Sequence, residues 1–129
     1  MVERVTVETL SPPPDYAHAA IAPPDRLVCT AGAVPLDREG NLVGADDYVA
    51  QTRQVLENLV TALSAAGAEP QDVLKTTVYV VGHGPGPLAT VWEVVRRSEL
   101  SGAPSTLLGV SALGYTGQLV EIEAVAVVR

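Results

Sequence analysis

The sequence predicts one α+β domain, a mixed β-sheet with two helices covering one face. Three observations carry this. The C-terminal run Ser105–Val128 holds two apolar segments around a short Gly-containing connection, the pattern of two neighbouring strands. An amphipathic run from Asp46 to Gly67 has helical spacing, and a second apolar helical stripe follows a strand further on. Read in order, the chain gives strands, helix, strand, helix and two final strands, with no tandem repeat or internal linker. One sheet face then has no helix left to cover it, and self-association is an economical way to bury it.

From the N-terminus, Val2–Glu8 alternates apolar and polar residues, as a strand with one wet face does. Pro12-Pro13-Pro14 stops regular pairing and gives a stiff extended connector. Tyr16 and His18 follow, on a segment that Pro23-Pro24 breaks again. Leu27–Ala31 reads as a short buried strand ended by Gly32, with Cys29 a small buried hydrophobe within it. Asp37–Gly40 has turn chemistry, which puts Leu36 and Leu42 on opposite arms of a hairpin.

Asp46 is the expected N-cap of the long helix, with Val49, Thr52, Val55, Leu56, Leu59, Val60, Leu63 and Ala66 on its apolar side. Gly67 is placed to end it in a left-handed cap. Val73–Val81 is a strand, and the GHGPGP loop leads into a helix from about Pro87 to Leu100. Leu88, Val91, Trp92 and Val95 mark its apolar side, and Gly102 and Pro104 stop it. In the last strand Val120, Ile122, Ala124, Ala126 and Val128 share one face, while Glu121 and Glu123 share the other with Val125 and Val127. An acid within an apolar strand is expensive to bury without partners. Spacing leaves three fates for this pair: acid–base chemistry, a wet sheet face, or pairing with Arg53 or Lys75.

The 129 residues suffice for one core but not two. Apolar residues make up 47% and charged residues 18%, which places the chain among globular rather than disordered sequences. A formal net charge of −7, with only Arg96 and Arg97 adjacent among the cations, argues against a nucleic-acid partner. The lone Cys29 excludes an intrachain disulfide and fits a reducing compartment, and no apolar run is long enough to span a membrane. A cytoplasmic location is expected, with no membrane partner. Neither His18 nor His83 has a spaced Cys, His or acid partner for a metal, and GHGPGP lacks the Lys-Ser/Thr of a phosphate loop. No metal and no cofactor are expected.

Four stretches together resemble the RidA/YjgF family: LVCTAGAVPLD (27–37), QTRQVLENLVTALSAAGAEPQDVLKTTVYV (51–80), LATVWEVV (88–95) and LVEIEAVAV (119–127). The resemblance runs from about Tyr16 to the end, within one domain over residues 1–129. It implies the chorismate-mutase-like YjgF fold, a homotrimer, and small-molecule clefts between neighbouring subunits. It also implies hydrolysis of reactive imines and enamines, such as 2-aminoacrylate, to the 2-oxo acid and ammonia. An endoribonuclease activity is also ascribed to the family, and the acidic balance here gives it no support.

Carried over residue by residue, the resemblance matches the cleft tyrosine to Tyr16, the cleft glycine to Gly32 and the water-activating carboxylate to Glu121. This chain departs from the pattern at five places. Ser105 stands where deaminating members carry an arginine for the substrate carboxylate. Ala31, Trp92 and Leu107 replace a serine, an asparagine and a cysteine, and the connection holding Tyr115 is one residue longer. Serine cannot supply the bidentate fork of an arginine. The expected function is therefore a hydrolytic deaminase or proton-transfer catalyst for a small imine or enamine without a free carboxylate. The alternative is a non-catalytic trimer that binds or senses an apolar metabolite. The expected site comprises Glu121 and Tyr16 as catalytic groups, with Gly32, Ala31, Trp92, Ser105, Leu107 and Tyr115 around the ligand.

Overall fold

The computed structural model describes residues 2–10, 12–23 and 26–128. Strands β1 (Glu3–Val5) and β2 (Ala19–Ile21) pair antiparallel as a small separate sheet. The main sheet contains β3 (Arg26–Cys29), β4 (Val73–Val81), β5 (Ser105–Val110) and β6 (Val120–Val128), in the order β3-β6-β4-β5. Helices α1 (Tyr48–Ala65) and α2 (Pro85–Arg96) pack on one face of it. The expected α+β architecture is present.

The helix boundaries follow from their caps. Asp47, rather than the expected Asp46, is the N-cap of α1, its side chain accepting from the Ala50 amide at 3.0 Å. Asp46 sits one residue earlier in the left-handed region at φ +58°. At the other end Gly67 (φ +87°) donates to the Ser64 carbonyl, and Ala68 to that of Leu63, which is a Schellman closure. Ala66 is exposed there as the C-cap. α2 begins at Pro85, where a fixed φ and the missing N–H suit the first helical turn.

Val55, Leu56, Leu59 and Leu63 of α1 and Val91 and Val95 of α2 are buried against Val73, Val78, Val80, Val120, Ile122, Ala124 and Ala126. Burying side chains of this size stabilises by about 1.5–3 kcal/mol each. Gln51 lies on the same stripe and is fully buried. Its amide donates to the carbonyls of Gly44 (3.1 Å) and Gly117 (3.0 Å) and accepts from the Leu119 amide (2.7 Å). One core glutamine thereby ties the entry to α1 to the connection before β6.

Three sequence expectations need correction. β5 and β6 are not neighbours: β4 lies between them, parallel to β5 and antiparallel to β6. Apolar patterning cannot distinguish a hairpin from a crossover. Residues Ala19–Ile21 form a strand that the surrounding prolines concealed; Pro24 lies outside the described residues. β3 is not buried on both faces, because Leu27 is 64% exposed and Cys29 is exposed beside it. Both point to the face that no helix covers, since they pair with Val127 and Val125 of β6. The Leu36–Leu42 bridge is formed as expected.

Gln51→Leu keeps the volume but leaves three backbone groups without their partner. An uncompensated buried polar group costs about 1–3 kcal/mol, so the urea midpoint is expected to fall clearly at unchanged m value. An unchanged midpoint would mean that the glutamine does not hold these loops.

Candidate functional site

Glu121 and Gly32 meet on the uncovered face. Glu121 pairs with Tyr79 across β4, and its side chain is half-buried. After Cys29 the chain keeps its antiparallel contact with β6, through Thr30–Ala124 and Ala33–Ile122 bonds. Between the Cys29–Val125 and Ala33–Ile122 pairs it carries one residue more than β6, a bulge. Gly32 lies in that bulge, directly beneath the carboxylate: a Cβ added there would stand 2.0 Å from Glu121 Oε2. The glycine is thus required by the close approach of an acid.

Gln118, which is buried, donates from Nε2 to Glu121 Oε1 at 3.0 Å and to the Val120 carbonyl at 3.0 Å. Its own Oε1 accepts from the Tyr115 amide at 3.1 Å. Tyr115 therefore supports the acid through its backbone, while its ring is 53% exposed. Ala31 is exposed beside Gly32.

Glu123 has a different fate. Tyr79 donates its hydroxyl to Glu123 Oε2 at 3.0 Å. The expected Lys75 partner donates to Thr106 Oγ1 instead, at 2.7 Å. Arg53 lies on α1 beside the outer groove between the helices. Among the described residues every ion pair within 4.0 Å involves Asp15, Glu93, Arg96 or Arg97, and none includes Glu121. The hydrogen bond that Tyr79 donates to Glu123, then burial, then the charges of Glu123 and Glu121 raise the Tyr79 pKa above the ordinary tyrosine value.

A second group of residues lies elsewhere. Tyr16, Trp92, Ser105 and Leu107 line a cavity of about 290 Å³ with Pro14. The rings of Tyr16 and Trp92 meet edge-on, centroids 6.2 Å apart, and the His18 ring stands 6.3 Å from that of Tyr16. His18 Nδ1 accepts from the Val7 amide at 2.8 Å. Trp92 is half-buried and packs on the core while its Nε1 donates to the Pro14 carbonyl at 3.1 Å, so it is both core and cavity wall. Thr76 donates to Ser105 Oγ at 2.7 Å. The cavity is thus mostly apolar, with two hydroxyls as its polar side-chain groups.

The two groups occupy opposite sides of the sheet. Ser105 and Leu107 pair with Thr76 and Val78, whose side chains join the helix-covered core. Glu121 and its neighbour Tyr79 point the other way. Within one chain the acid and the tyrosine do not converge. Sequence reasoning missed Gln118 and Gln51, although Gln51 was visible as a polar residue on the core stripe of α1. Gln118 carried no such signal. Among the described residues no three His, Cys, Asp or Glu cluster as a metal site, and no helix is long and apolar enough to cross a membrane.

Comparison with known proteins places these features in context. Residues 6–128 match the family described as Endoribonuclease L-PSP. Protein DfrA of Myxococcus xanthus is 34% identical over 114 residues, covering 87% of this chain and 84% of its own. The 2-iminobutanoate/2-iminopropanoate deaminase of Mus musculus is 28% identical over 127 residues, with 98% and 93% covered. Among solved structures, YyfB from Yersinia pestis, a protein of the conserved Rid family, superposes with a TM-score of 0.89 at 37% identity, covering 98% of each chain.

Two measurements check this geometry. Gly32→Ala should leave the fold intact and push the Glu121 side chain aside, because the clash is with a flexible side chain; a crystal structure with the carboxylate unmoved would refute the contact. For Tyr79 the raised pKa means stability that is complete below the unfolded value near 10 and is lost as pH rises through the higher folded value. Absorbance at alkaline pH should show late titration of Tyr79, and Glu123→Gln should lower its midpoint.

Proposed function

The chain belongs to the RidA/YjgF family, whose relatives include imine and enamine deaminases, and from that premise we propose a specific member's role. The protein is a hydrolytic deaminase, or a closely related proton-transfer catalyst, for a small imine or enamine that lacks a free carboxylate. The observation that carries this reading is an acid without a cation: Glu121 is held by Gln118 over Gly32, and the position of the family's arginine is a serine bonded to Thr76.

In this mechanism Glu121 takes a proton from a water that attacks the imine carbon. That proton passes to the nitrogen to complete the carbinolamine, whose hydroxyl proton Glu121 then carries to the same nitrogen as the C–N bond breaks, giving the carbonyl compound and ammonia. An enamine substrate first takes a proton at carbon to become the imine. General base catalysis of this kind contributes typically about 10²–10⁴-fold. Gln118 orients the carboxylate through one oxygen and leaves the other, above Gly32, for the water.

The ligand sits between copies of the chain. Support comes from the division of the site: the Glu121–Gly32 half and the Tyr16–Trp92 half lie on opposite sheet faces, and a cleft shared between subunits joins such halves. The uncovered face, with Leu27, Cys29 and Val125, is the surface that a homotrimer buries. Tyr16 of one subunit then hydrogen-bonds substrate or water held by Glu121 of another. A cytoplasmic setting is in keeping with the exposed free thiol of Cys29.

Absence of the arginine fork weakens the hold on a carboxylate by roughly 2–5 kcal/mol. Neutral cyclic imines are therefore expected to turn over faster than 2-aminoacrylate, and Ser105→Arg to raise activity on 2-aminoacrylate. Efficient turnover of 2-aminoacrylate with no gain from Ser105→Arg would defeat the substrate assignment. Glu121→Gln is expected to cost at least about a hundredfold in kcat. If the cleft binds an apolar metabolite and no reaction is found for Glu121→Gln to abolish, the apolar lining instead serves a binding or sensing module. Sedimentation at micromolar concentration checks the trimer.

A further inference from the structure

The cavity wall that carries Tyr16 is held by bonds that the sequence did not reveal. Asp15, just before it, lies in the left-handed region at φ +66°, uncommon for a residue with a side chain. Its carboxylate accepts from Arg96 Nε at 2.6 Å. Its carbonyl accepts from the Gly102 amide at 2.9 Å and from Ser101 Oγ at 3.3 Å. The preceding carbonyl, that of Pro14, accepts from Trp92 Nε1. Four bonds from residues 92–102 thus converge on the two residues before Tyr16. Arg96 also donates to Glu93 at 3.0 Å, so its guanidinium is shared between two carboxylates.

We propose that Arg96 and Asp15 form a latch that sets what the Tyr16–Trp92 cavity accepts. The latch holds a strained backbone that would otherwise relax to negative φ and turn Pro14 and Tyr16 away from the indole. Latched, the tyrosine edge, the indole face, the Pro14 ring and Leu107 bound a slot suited to a flat, uncharged guest. The same bonds keep a guanidinium on the cavity's own helix, one turn beyond Trp92, committed to protein carboxylates. It is therefore not offered to an anionic guest. Arg96 is a positioning residue here, acting through Asp15 on Tyr16. This inference rests on the proposed preference for uncharged ligands, but the latch itself can be tested without any ligand.

Trp92 is the only tryptophan of the chain, so its fluorescence reports on this cavity alone. Acrylamide quenching should rise about twofold in Arg96→Ala, return toward the starting value in Arg96→Lys, and stay unchanged in Arg97→Ala, whose guanidinium bonds Glu93 and not Asp15. Asp15→Asn, which keeps an acceptor and tolerates positive φ, should fall between them. The lactam 2-pyrrolidinone is the neutral probe and pyruvate the anionic one. Arg96→Ala should weaken 2-pyrrolidinone about tenfold, some 1.4 kcal/mol, and narrow its advantage over pyruvate. Unchanged quenching in Arg96→Ala overturns the latch, as does an equal effect of Arg97→Ala. If Arg96→Ala does not fold, Asp15→Asn decides by the same quenching criterion. Pyruvate binding as tightly as 2-pyrrolidinone to the unsubstituted protein overturns the guest class and leaves the latch to the quenching result.

Discussion

Strand β6 is hydrogen-bonded along both edges, to β3 on one side and β4 on the other, and the rest of the structure depends on that position. A strand so placed has no freedom to slip, because a shift of one residue would exchange its two faces. Val120, Ile122, Ala124 and Ala126 are committed to the helices, and Glu121 and Glu123 are committed to the other side. The acids are therefore fixed by the backbone of the most constrained strand, and the apolar core stabilises their placement. Catalytic geometry of this kind is inherited from packing rather than added to it.

Two acids two residues apart on one face receive different environments. Glu123 is bonded to the Tyr79 phenol, which spends one of its oxygens on a neutral donor. Glu121 is bonded to an amide and faces a glycine, so one oxygen is oriented while the other adjoins open space beside the bulge. The bulge matters here: it brings Gly32 under the carboxylate, where a regular ladder would not carry the extra residue. A side chain at position 32 would collide with the carboxylate itself.

Much of the fold could be read in the sequence because it rests on local chemistry. The stripe of α1, the Gly67 cap and the alternation of β6 each follow from a few neighbouring residues. The order β3-β6-β4-β5 did not follow, since strand pairing is a long-range property and apolar alternation is the same in a hairpin and a crossover. The solvent-exposed side of β3 was hidden for a related reason: Leu27 and Cys29 look buried by composition, and only the sheet order reveals that their face lacks a helix. At the site, Glu121 and Gly32 were legible through the family resemblance. Gln118 and the Asp15–Arg96 pair were not, because each depends on a turn or a left-handed residue that brings distant groups together.

The electrostatic pattern joins these points. Eight Lys and Arg residues face fifteen Asp and Glu residues in the chain, so an unpaired acid is the ordinary condition and a free cation the scarce one. Arg96 and Arg97 bond Asp15 and Glu93, and Lys75 bonds a threonine. These bonds commit three cations to structure, and among the described residues no ion pair within 4.0 Å includes Glu121. Under the proposed reading, a carboxylate-bearing ligand entering beside Glu121 would meet repulsion with no compensating fork, whereas a neutral imine would meet a base. In the proposed reaction, attack makes the nitrogen more basic and the same negative field would favour its protonation, the step that expels ammonia. On that proposal Ser105 and Glu121 act together: without a cation beside it, the anion would exert a stronger field at the atom that must accept the proton.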